Sequence, residues 1–221
     1  MARELAACGI LSVRIDFRGR GFCTGKPEET TLDMMIADAL NAVHFIRNEF
    51  PSVGVSVCGI CSGGNTALGA ASLDPGIRNV FALSTLAFSG TESRSHRVRR
   101  KVHILSQYVR KLLHPRTWRR FLRGDVNTGM VLKTISDRQS DNSGCKDSKR
   151  NIPLELTRFS GKIFFIYGCL DKDARHAEDY YTHPPFSSLN TEFQHIQNTG
   201  HNFTAPTAQS ALTNFIKNGL T

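Results

Sequence analysis

The sequence predicts an α/β fold whose mainly parallel sheet is covered by helices on both faces. Apolar stretches of strand length alternate along the chain with stretches in which apolar residues recur at helical spacing. Parallel strands need such helical crossovers, and the crossovers cover both faces of the sheet. The strand candidates are residues 11–17, 53–58, 79–88, 162–167 and 192–196.

Helices are predicted between these strands and after the last of them. Thr30 or Thr31 can cap a helix whose apolar stripe runs through residues 32–50. The small-residue stretch TALGAASL predicts another helix behind the second strand candidate. A closing helix is predicted over residues 205–218.

Length and composition indicate one domain that spans residues 1–221. The chain has a mass of 24.5 kDa, with 40% hydrophobic and 21% charged residues. These values exclude disordered, collagen-like and coiled-coil chains. No apolar run approaches the ~18 residues that suggest a membrane span. The sequence therefore predicts no transmembrane segment.

The cysteines give no sign of a disulfide framework. Six are scattered along the chain, and no pairing among them can be deduced. The first ten residues do not resemble a signal peptide, so reduced thiols and a cytoplasmic location are expected. No residues have the spacing of a zinc site, and the sequence predicts neither a metal nor a cofactor.

Positive charge is concentrated in one segment. Residues 94–123 contain 11 Lys and Arg and no acidic residue, which leaves 17 basic against 19 acidic residues elsewhere. Apolar residues recur in this segment at helical spacing and predict two short helices, the second beginning near Pro115. Because the segment interrupts the alternation of strands and helices, residues 90–155 are predicted to form a helical basic lid insertion.

The predicted lid suits several kinds of partner. A solvated surface over the rest of the domain is the simplest interpretation. An anionic membrane surface or an anionic ligand would also match its charge. Nucleic acid is disfavoured as a partner, because no known recognition motif accompanies the charge.

The run GICSGG at residues 59–64 lies between a predicted strand and a predicted helix, which is the setting of a nucleophile elbow. Such a turn requires small residues two positions before and two after the nucleophile, and Gly59 and Gly63 meet this requirement around Cys61. Gly64 completes a trailing glycine pair. The thiol would stand at the sheet edge and at a helix N-terminus, where the pKa of a thiol is lowered.

Other interpretations of this run remain open. Ser62 is an alternative nucleophile, but Ile60 would then occupy a position that must be small. Ser62 fits better as an oxyanion donor through its backbone N–H. Cys58 and Cys61 also form a C-x-x-C pair, which is compatible with redox chemistry. The simplest interpretation of Cys61 is a small buried residue in a glycine-rich turn.

A carboxylate and a histidine follow two later strands. Asp171 comes just after the strand candidate at 162–167, and His201 lies in the loop after 192–196. In such a set the histidine takes the thiol proton or activates water, while the carboxylate fixes the histidine tautomer. Asp173 is an alternative acid, and helix capping is the structural interpretation of either carboxylate.

Together these motifs resemble the α/β-hydrolase superfamily over nearly the full chain. The chain order of nucleophile, acid and histidine is that of this superfamily and differs from the order in other triad folds. The resemblance implies that Cys61, Asp171 and His201 are catalytic and that Ser62 is an oxyanion donor. The segments that carry it are Asp16-Phe17-Arg18-Gly19-Arg20-Gly21, similar to the family's D-x-R-G-x-G loop, the elbow, Gly168-x-x-Asp171, and Gly200-His201.

Two narrower resemblances accompany the broad one. The cysteine elbow with its trailing glycines is similar to that of dienelactone hydrolases. The arginine-rich run at residues 115–120 resembles hydrolases associated with exosortase and exopolysaccharide gene clusters. The insertion lies where the superfamily usually places its lid, and Asp16 is expected to hold the glycine loop.

The chain departs from the superfamily pattern near its start. The family has about three strands before the one predicted at 11–17, and its second oxyanion donor follows the third of them. We therefore expect an N-terminally truncated α/β-hydrolase fold that lacks this donor. In the family's strand order the absent strand lies between 11–17 and 53–58. The sheet would then have a gap there, or those two strands would pair directly.

The predicted activity is hydrolysis of an ester or thioester of a small-molecule acyl substrate by Cys61, His201 and Asp171. Loss of one oxyanion donor costs ~10²–10³ in rate where it has been measured, so weak activity is expected. A second hypothesis is a non-catalytic protein that binds an anionic membrane or glycan through the basic lid. A third is an acyltransferase, which would use the same residues with an acceptor other than water.

Overall fold

The computed structural model describes residues 1–88 and 148–220. The chain divides into two units, Met1–Phe88 with Gly144–Thr221 and Ser89–Ser143, and the second unit lies outside the described residues. The helices of the first unit are α1 (Ala2–Ala7), α2 (Leu32–Glu49), α3 (Ser62–Ala71), α4 (Ile152–Leu156), α5 (Ala174–Thr182) and α6 (Pro206–Leu220). Its strands are β1 (Val55–Ile60), β2 (Ile77–Leu83), β3 (Lys162–Gly168) and β4 (Thr191–Ile196).

The strands form one parallel sheet in the order β1-β2-β3-β4. Leu83 lies level with Ile60 on one neighbour and with Ile166 on the other, so the three strands end at nearly the same height. The parallel sheet predicted from the alternation of strands and helices is therefore confirmed for these strands. Their carboxyl ends share one edge, where loops can bring distant residues together.

Each strand divides its side chains between two apolar layers, because successive residues point to opposite faces. Val80 and Ala82 of β2 pack into the layer formed with α2, α3, α4 and α5. Phe81 and Leu83 pack into the layer formed with α1 and α6. Helices thus cover both faces of the sheet, as predicted.

Thr31, not Thr30, caps α2. The Met34 backbone N–H donates to Thr31 Oγ1 at 3.2 Å, the usual N-cap bond. Thr30 is buried, and its hydroxyl donates to the backbone oxygens of Arg18 at 2.9 Å and Lys26 at 3.2 Å. Thr30 therefore fastens the preceding loop to the start of α2.

The strand predicted at residues 11–17 is wrong, since this segment has no regular secondary structure. Within the described ranges it has no ladder partner, and it does not pair directly with β1. Leu11, Val13 and Ile15 are 50%, 49% and 39% exposed. Alternating apolar residues favour an extended chain, but a strand is stable only when a neighbour binds its backbone groups.

The glycine loop after this segment has the structure expected for it. The Phe22 backbone N–H donates to Asp16 Oδ2 at 3.2 Å, which closes the loop. Gly21 has φ +56°, and a Cβ there would lie 2.1 Å from Asp16 Oδ2. Asp16 therefore has a structural contact in the loop, and its neighbour Arg18 forms an ion pair with Asp38 of α2.

The predicted basic helices in residues 94–123 lie outside the described residues, as does most of the predicted insertion at 90–155. Its last residues are described. The Lys149 backbone N–H donates to Asp33 Oδ2 at 3.1 Å, and Ile152 is buried in the core beside α2 and α3. Across the described ranges, none of the helices has the length and apolar character required to cross a bilayer.

Candidate active site

The carboxyl edge of the sheet brings Cys61, Asp171 and His201 together. Cys61 follows β1, Asp171 follows β3, and His201 lies in the loop between β4 and α6. His201 Nδ1 lies 3.0 Å from Asp171 Oδ2, and the His201 ring also hydrogen-bonds to the Cys61 thiol. These three residues, which are separated in sequence, thus interact through the His201 ring.

Cys61 makes the sharp turn from β1 into α3. Its backbone has φ 54° and ψ −119°, a conformation that residues other than glycine rarely adopt. Its N–H donates to Leu83 O at 2.8 Å and its carbonyl accepts from Gly64 N at 2.9 Å. One residue thus ends the strand and starts the helix, which leaves the thiol half-exposed at the turn.

The glycines of the elbow differ in why they are needed. A Cβ on Gly59 would lie 2.1 Å from the Gly63 carbonyl oxygen, and one on Gly64 would lie 1.8 Å from Thr85 Oγ1. Among the described residues, no atom lies within 4 Å of a Cβ built on Gly63. The requirement for a small residue two positions before Cys61 therefore has a steric cause here, and the one predicted for Gly63 does not.

The surroundings of Cys61 favour its ionised form. The hydrogen bond from His201 is the largest cause that lowers the pKa of the Cys61 thiol, and partial burial opposes it. The charge of His201 and the Ser62 backbone N–H, which hydrogen-bonds to the sulfur, lower it further. The same thiol bond, with help from Asp171, raises the pKa of His201 to about 9. Both shifts favour a thiolate–imidazolium pair over a neutral thiol and imidazole.

Asp171 holds His201 with one oxygen and its own loop with the other. Its side chain is 4% exposed, and Oδ1 accepts the Asp173 backbone N–H at 3.1 Å. Asp173 lies at the N-terminus of α5 and makes no side-chain cap bond there. The structure therefore places Asp171, and not the alternative acid Asp173, against the histidine.

Gly168 allows the histidine loop to approach the end of β3. A Cβ on Gly168 would lie 2.4 Å from Thr199 O and 2.6 Å from Gly200 O. The Leu170 N–H donates to Thr199 O at 2.9 Å, which ties the acid loop to the histidine loop. Sequence reasoning had Gly168 only as part of a motif. The spacing of Gly168 and Asp171 was the available signal in the sequence. The close approach of Gly168 to Thr199 and Gly200 could not be predicted, because it joins two separate loops.

The loop after β2 was not predicted to belong to the site. Ser84 has φ 42°, which ends the strand there and not at residue 88 as predicted. Tyr167 and Tyr181 are buried, and their hydroxyls donate to Thr85 O at 3.0 Å and Leu86 O at 2.9 Å. These bonds hold Thr85 against Gly64. Buried tyrosines need hydroxyl partners, but the sequence does not say which.

The two cysteines of the C-x-x-C pair are not joined by a disulfide. Cys58 lies within β1 and Cys61 at the turn, and both are free thiols. Residues 1–88 and 148–220 contain no group of three or more His, Cys, Asp and Glu side chains arranged to hold a metal ion.

Comparison with protein families identifies the chain. The sequence model of the family described as "Serine aminopeptidase, S33" matches residues 1–148, which include the elbow. The chain belongs to this family of α/β hydrolases. In this S33 hydrolase a cysteine stands at the turn where the family name implies a serine. A search of curated proteins gives no match.

Solved structures with the same fold include several hydrolases. The α/β hydrolase GrgF from a Penicillium species is 18% identical, with TM-score 0.60, over 97% of this chain and 81% of that one. Est1E from Butyrivibrio proteoclasticus, solved with ferulic acid, is 15% identical, with TM-score 0.60, over 99% and 79%. A monoacylglycerol lipase from Paleococcus ferrophilus is 19% identical, with TM-score 0.58, over 99% and 86%.

These likenesses establish the fold and not the substrate, because the identities are low. The predicted α/β-hydrolase superfamily is confirmed. The narrower resemblances to dienelactone hydrolases and to exosortase-associated hydrolases are not confirmed. The basic lid and its anionic partner lie in residues outside those described, and they stay predictions.

Proposed function

We propose that this S33 hydrolase cleaves acyl esters or thioesters through a covalent acyl–cysteine intermediate. Cys61 is the nucleophile, His201 transfers the proton, and Asp171 orients His201. The observation that supports this assignment is the position of His201, which bonds to Asp171 Oδ2 through Nδ1 and interacts with the Cys61 thiol. A strained residue at the strand-to-helix turn is where an α/β hydrolase carries its nucleophile.

In the first half-reaction the Cys61 thiolate attacks the acyl carbon and the carbonyl oxygen becomes an oxyanion. The Ser62 N–H, which hydrogen-bonds to the sulfur in the free protein, is available to this oxyanion once the sulfur is bonded to carbon. The leaving group departs and takes the proton from His201 if its basicity requires one. Asp171 keeps the second ring nitrogen of His201 towards the thiol by accepting from Nδ1.

In the second half-reaction His201 acts as a base. The acylated sulfur carries no charge, so the imidazole loses the partner that stabilised its protonated form. Neutral His201 then accepts a proton from water, and the resulting hydroxide attacks the thioester. Expulsion of the Cys61 sulfur releases the carboxylic acid and restores the thiolate–imidazolium pair.

An alkyne-tagged β-lactone tests the nucleophile, because ring opening by a nucleophile leaves an acyl group on it. We expect the tag on the tryptic peptide that contains Cys61. Cys61→Ala should abolish this labelling, while Cys169→Ala, which removes an exposed free thiol after β3, should leave it unchanged. Equal labelling of Cys61→Ala and the parent protein would refute the proposed mechanism.

A further inference from the structure

Because the attacking atom is sulfur and not oxygen, the range of acyl substrates that can react is limited. Attack by Cys61 gives a tetrahedral intermediate that carries the Cys61 sulfur and the leaving group on one carbon. The intermediate expels the weaker base more readily, as thiol exchange shows for sulfur leaving groups. A cysteine thiol has a pKa of about 8.5, whereas the pKa of water, which an aliphatic alcohol resembles, is about 15.7. An intermediate formed from an alkyl ester therefore tends to return to the substrate.

The contacts of Cys61 in this site strengthen that tendency. The His201 ring and the Ser62 N–H both hydrogen-bond to the sulfur. Groups that stabilise the thiolate before attack also stabilise it as it departs from the intermediate. The arrangement that activates Cys61 thus makes Cys61 a better leaving group. The substrate's own leaving group must then be a weak base if it is to depart instead of Cys61.

The proton held by His201 does not remove this need for a weakly basic leaving group. Asp171, 4% exposed, accepts from Nδ1 at 3.0 Å and stabilises the imidazolium. Departure of an alkoxide requires transfer of this proton at the moment the bond breaks. Departure of a thiolate requires no proton, because a thiolate is a weak enough base to leave as the anion.

From the sulfur nucleophile and its contacts with His201 and Ser62, we infer that the substrates of this site are acyl thioesters and not esters of simple alcohols. This inference rests on the proposed function, since it requires Cys61 to be the nucleophile. It goes further by naming the leaving group.

The reaction balances without a co-reactant other than water. The Cys61 thiolate forms a bond to the acyl carbon of R–CO–S–R′, the carbon–sulfur bond of the substrate breaks, and R′–S⁻ leaves. His201 gives its proton to the departed thiolate, which becomes R′–SH, and His201 is then neutral. Water attacks the acyl carbon, neutral His201 accepts a proton from this water, and the Cys61 thiolate is expelled. The products are the carboxylic acid and the thiol R′–SH, with no change of oxidation state.

Matched pairs of S-ethyl and O-ethyl esters of acetic, butanoic and octanoic acid test the inference, because each pair differs only in the leaving atom. Two readouts apply: kcat/KM for acid release, and acylation of Cys61 by intact-protein mass after rapid acid quench. We expect kcat/KM to favour the S-ethyl member by at least about tenfold, given the difference in leaving-group basicity. Mass addition should occur with the S-ethyl members only.

Cys61→Ser is the matched variant. A serine alkoxide is about as basic as ethoxide and far more basic than ethanethiolate. The ratio of S-ethyl to O-ethyl kcat/KM should therefore fall towards the ratio seen in hydrolysis by hydroxide. If Cys61→Ser is inactive, the parent protein is tested instead with 4-nitrophenyl, phenyl and trifluoroethyl acetates. Its kcat/KM should fall steeply as the pKa of the leaving group rises. Equal acylation by both members of a pair, or acylation by neither, would overturn the inference. If labelling of Cys61→Ala by the β-lactone matched the parent, the proposed function itself would fail.

Discussion

His201 Nδ1 lies 3.0 Å from Asp171 Oδ2, although 30 residues separate them in the chain. The bond joins the loop after β3 to the loop after β4. It leaves the other ring nitrogen of His201 for the Cys61 thiol. The acid therefore sets which nitrogen faces the nucleophile, and the activity should depend on it.

Replacement of Asp171 by asparagine keeps the side-chain size but allows the wrong histidine tautomer. We expect kcat to fall by roughly 10³- to 10⁴-fold, as it does when the acid of a serine triad is replaced in this way. Asp173→Asn is the matched control, because Asp173 makes no side-chain contact with His201, and its kcat should stay within about threefold. An equal loss in both variants would show that Asp171 has no special role.

The rate of Cys61 acylation should depend on pH through both members of the ion pair. Thiolate appears as pH rises through the pKa of Cys61, which hydrogen bonding to His201 lowers, so the rate should rise at a pH below that typical of a thiol. Imidazolium disappears as pH rises through the pKa of His201, about 9, so the rate should fall there. Single-turnover labelling by the β-lactone, whose alkoxide leaving group takes the proton of His201, measures both limbs between pH 5 and 10. S-ethyl butanethioate, whose thiolate leaves without a proton, should show the rising limb alone.

The variant His201→Ala tests why the acylation rate should rise at a pH below that typical of a thiol. Without the ring, the thiol loses the largest contribution that lowers its pKa. Alkylation of Cys61 by iodoacetamide should then show its inflection at a higher pH than in the parent protein. An unchanged inflection would mean that His201 does not hydrogen-bond to the thiol.

The two glycines that flank Cys61 should respond differently to alanine. Gly59→Ala places a Cβ 2.1 Å from the rigid Gly63 carbonyl oxygen, so we expect the free energy of unfolding to fall by about 1–3 kcal/mol. Gly63 lies in α3, and no atom of the described residues lies within 4 Å of an added Cβ. Gly63→Ala should therefore raise that free energy by about 0.5–1 kcal/mol. Urea denaturation measures both. A larger loss from Gly63→Ala than from Gly59→Ala would contradict this steric account.

Gly168→Ala should impair the active site more than the fold. Its Cβ would lie 2.4 Å from Thr199 O, and the histidine loop must move away to accept it. We expect kcat to fall by about 100-fold, since small displacements of a catalytic group have effects of that order. Labelling by the β-lactone should slow as well, because His201 shifts with its loop. Gly200→Ala is the control, since no atom of the described residues lies within 4 Å of its added Cβ. Unchanged kcat in Gly168→Ala would show that this contact does not position His201.

Most of the sheet could be predicted because its signals are local. The strands β1 to β4 lie within two residues of the predicted starts, since each is an apolar run bounded by turn residues. Residues 11–17 have the same kind of pattern but form no strand. A strand depends on what lies beside it, and a local pattern carries no information about that neighbour.

By itself the sequence determined the order of the elements and the candidates Cys61, Asp171 and His201, because an elbow and two post-strand loops are local patterns. Only the tertiary structure decided that Asp171 and not Asp173 faces His201, and that Gly168 is needed for a close backbone approach. It also decided that Tyr167 and Tyr181 hold the loop after β2. Those outcomes depend on distances between segments far apart in the chain. Such distances follow from the packing of the whole sheet and its helices, and not from the pattern of any one segment.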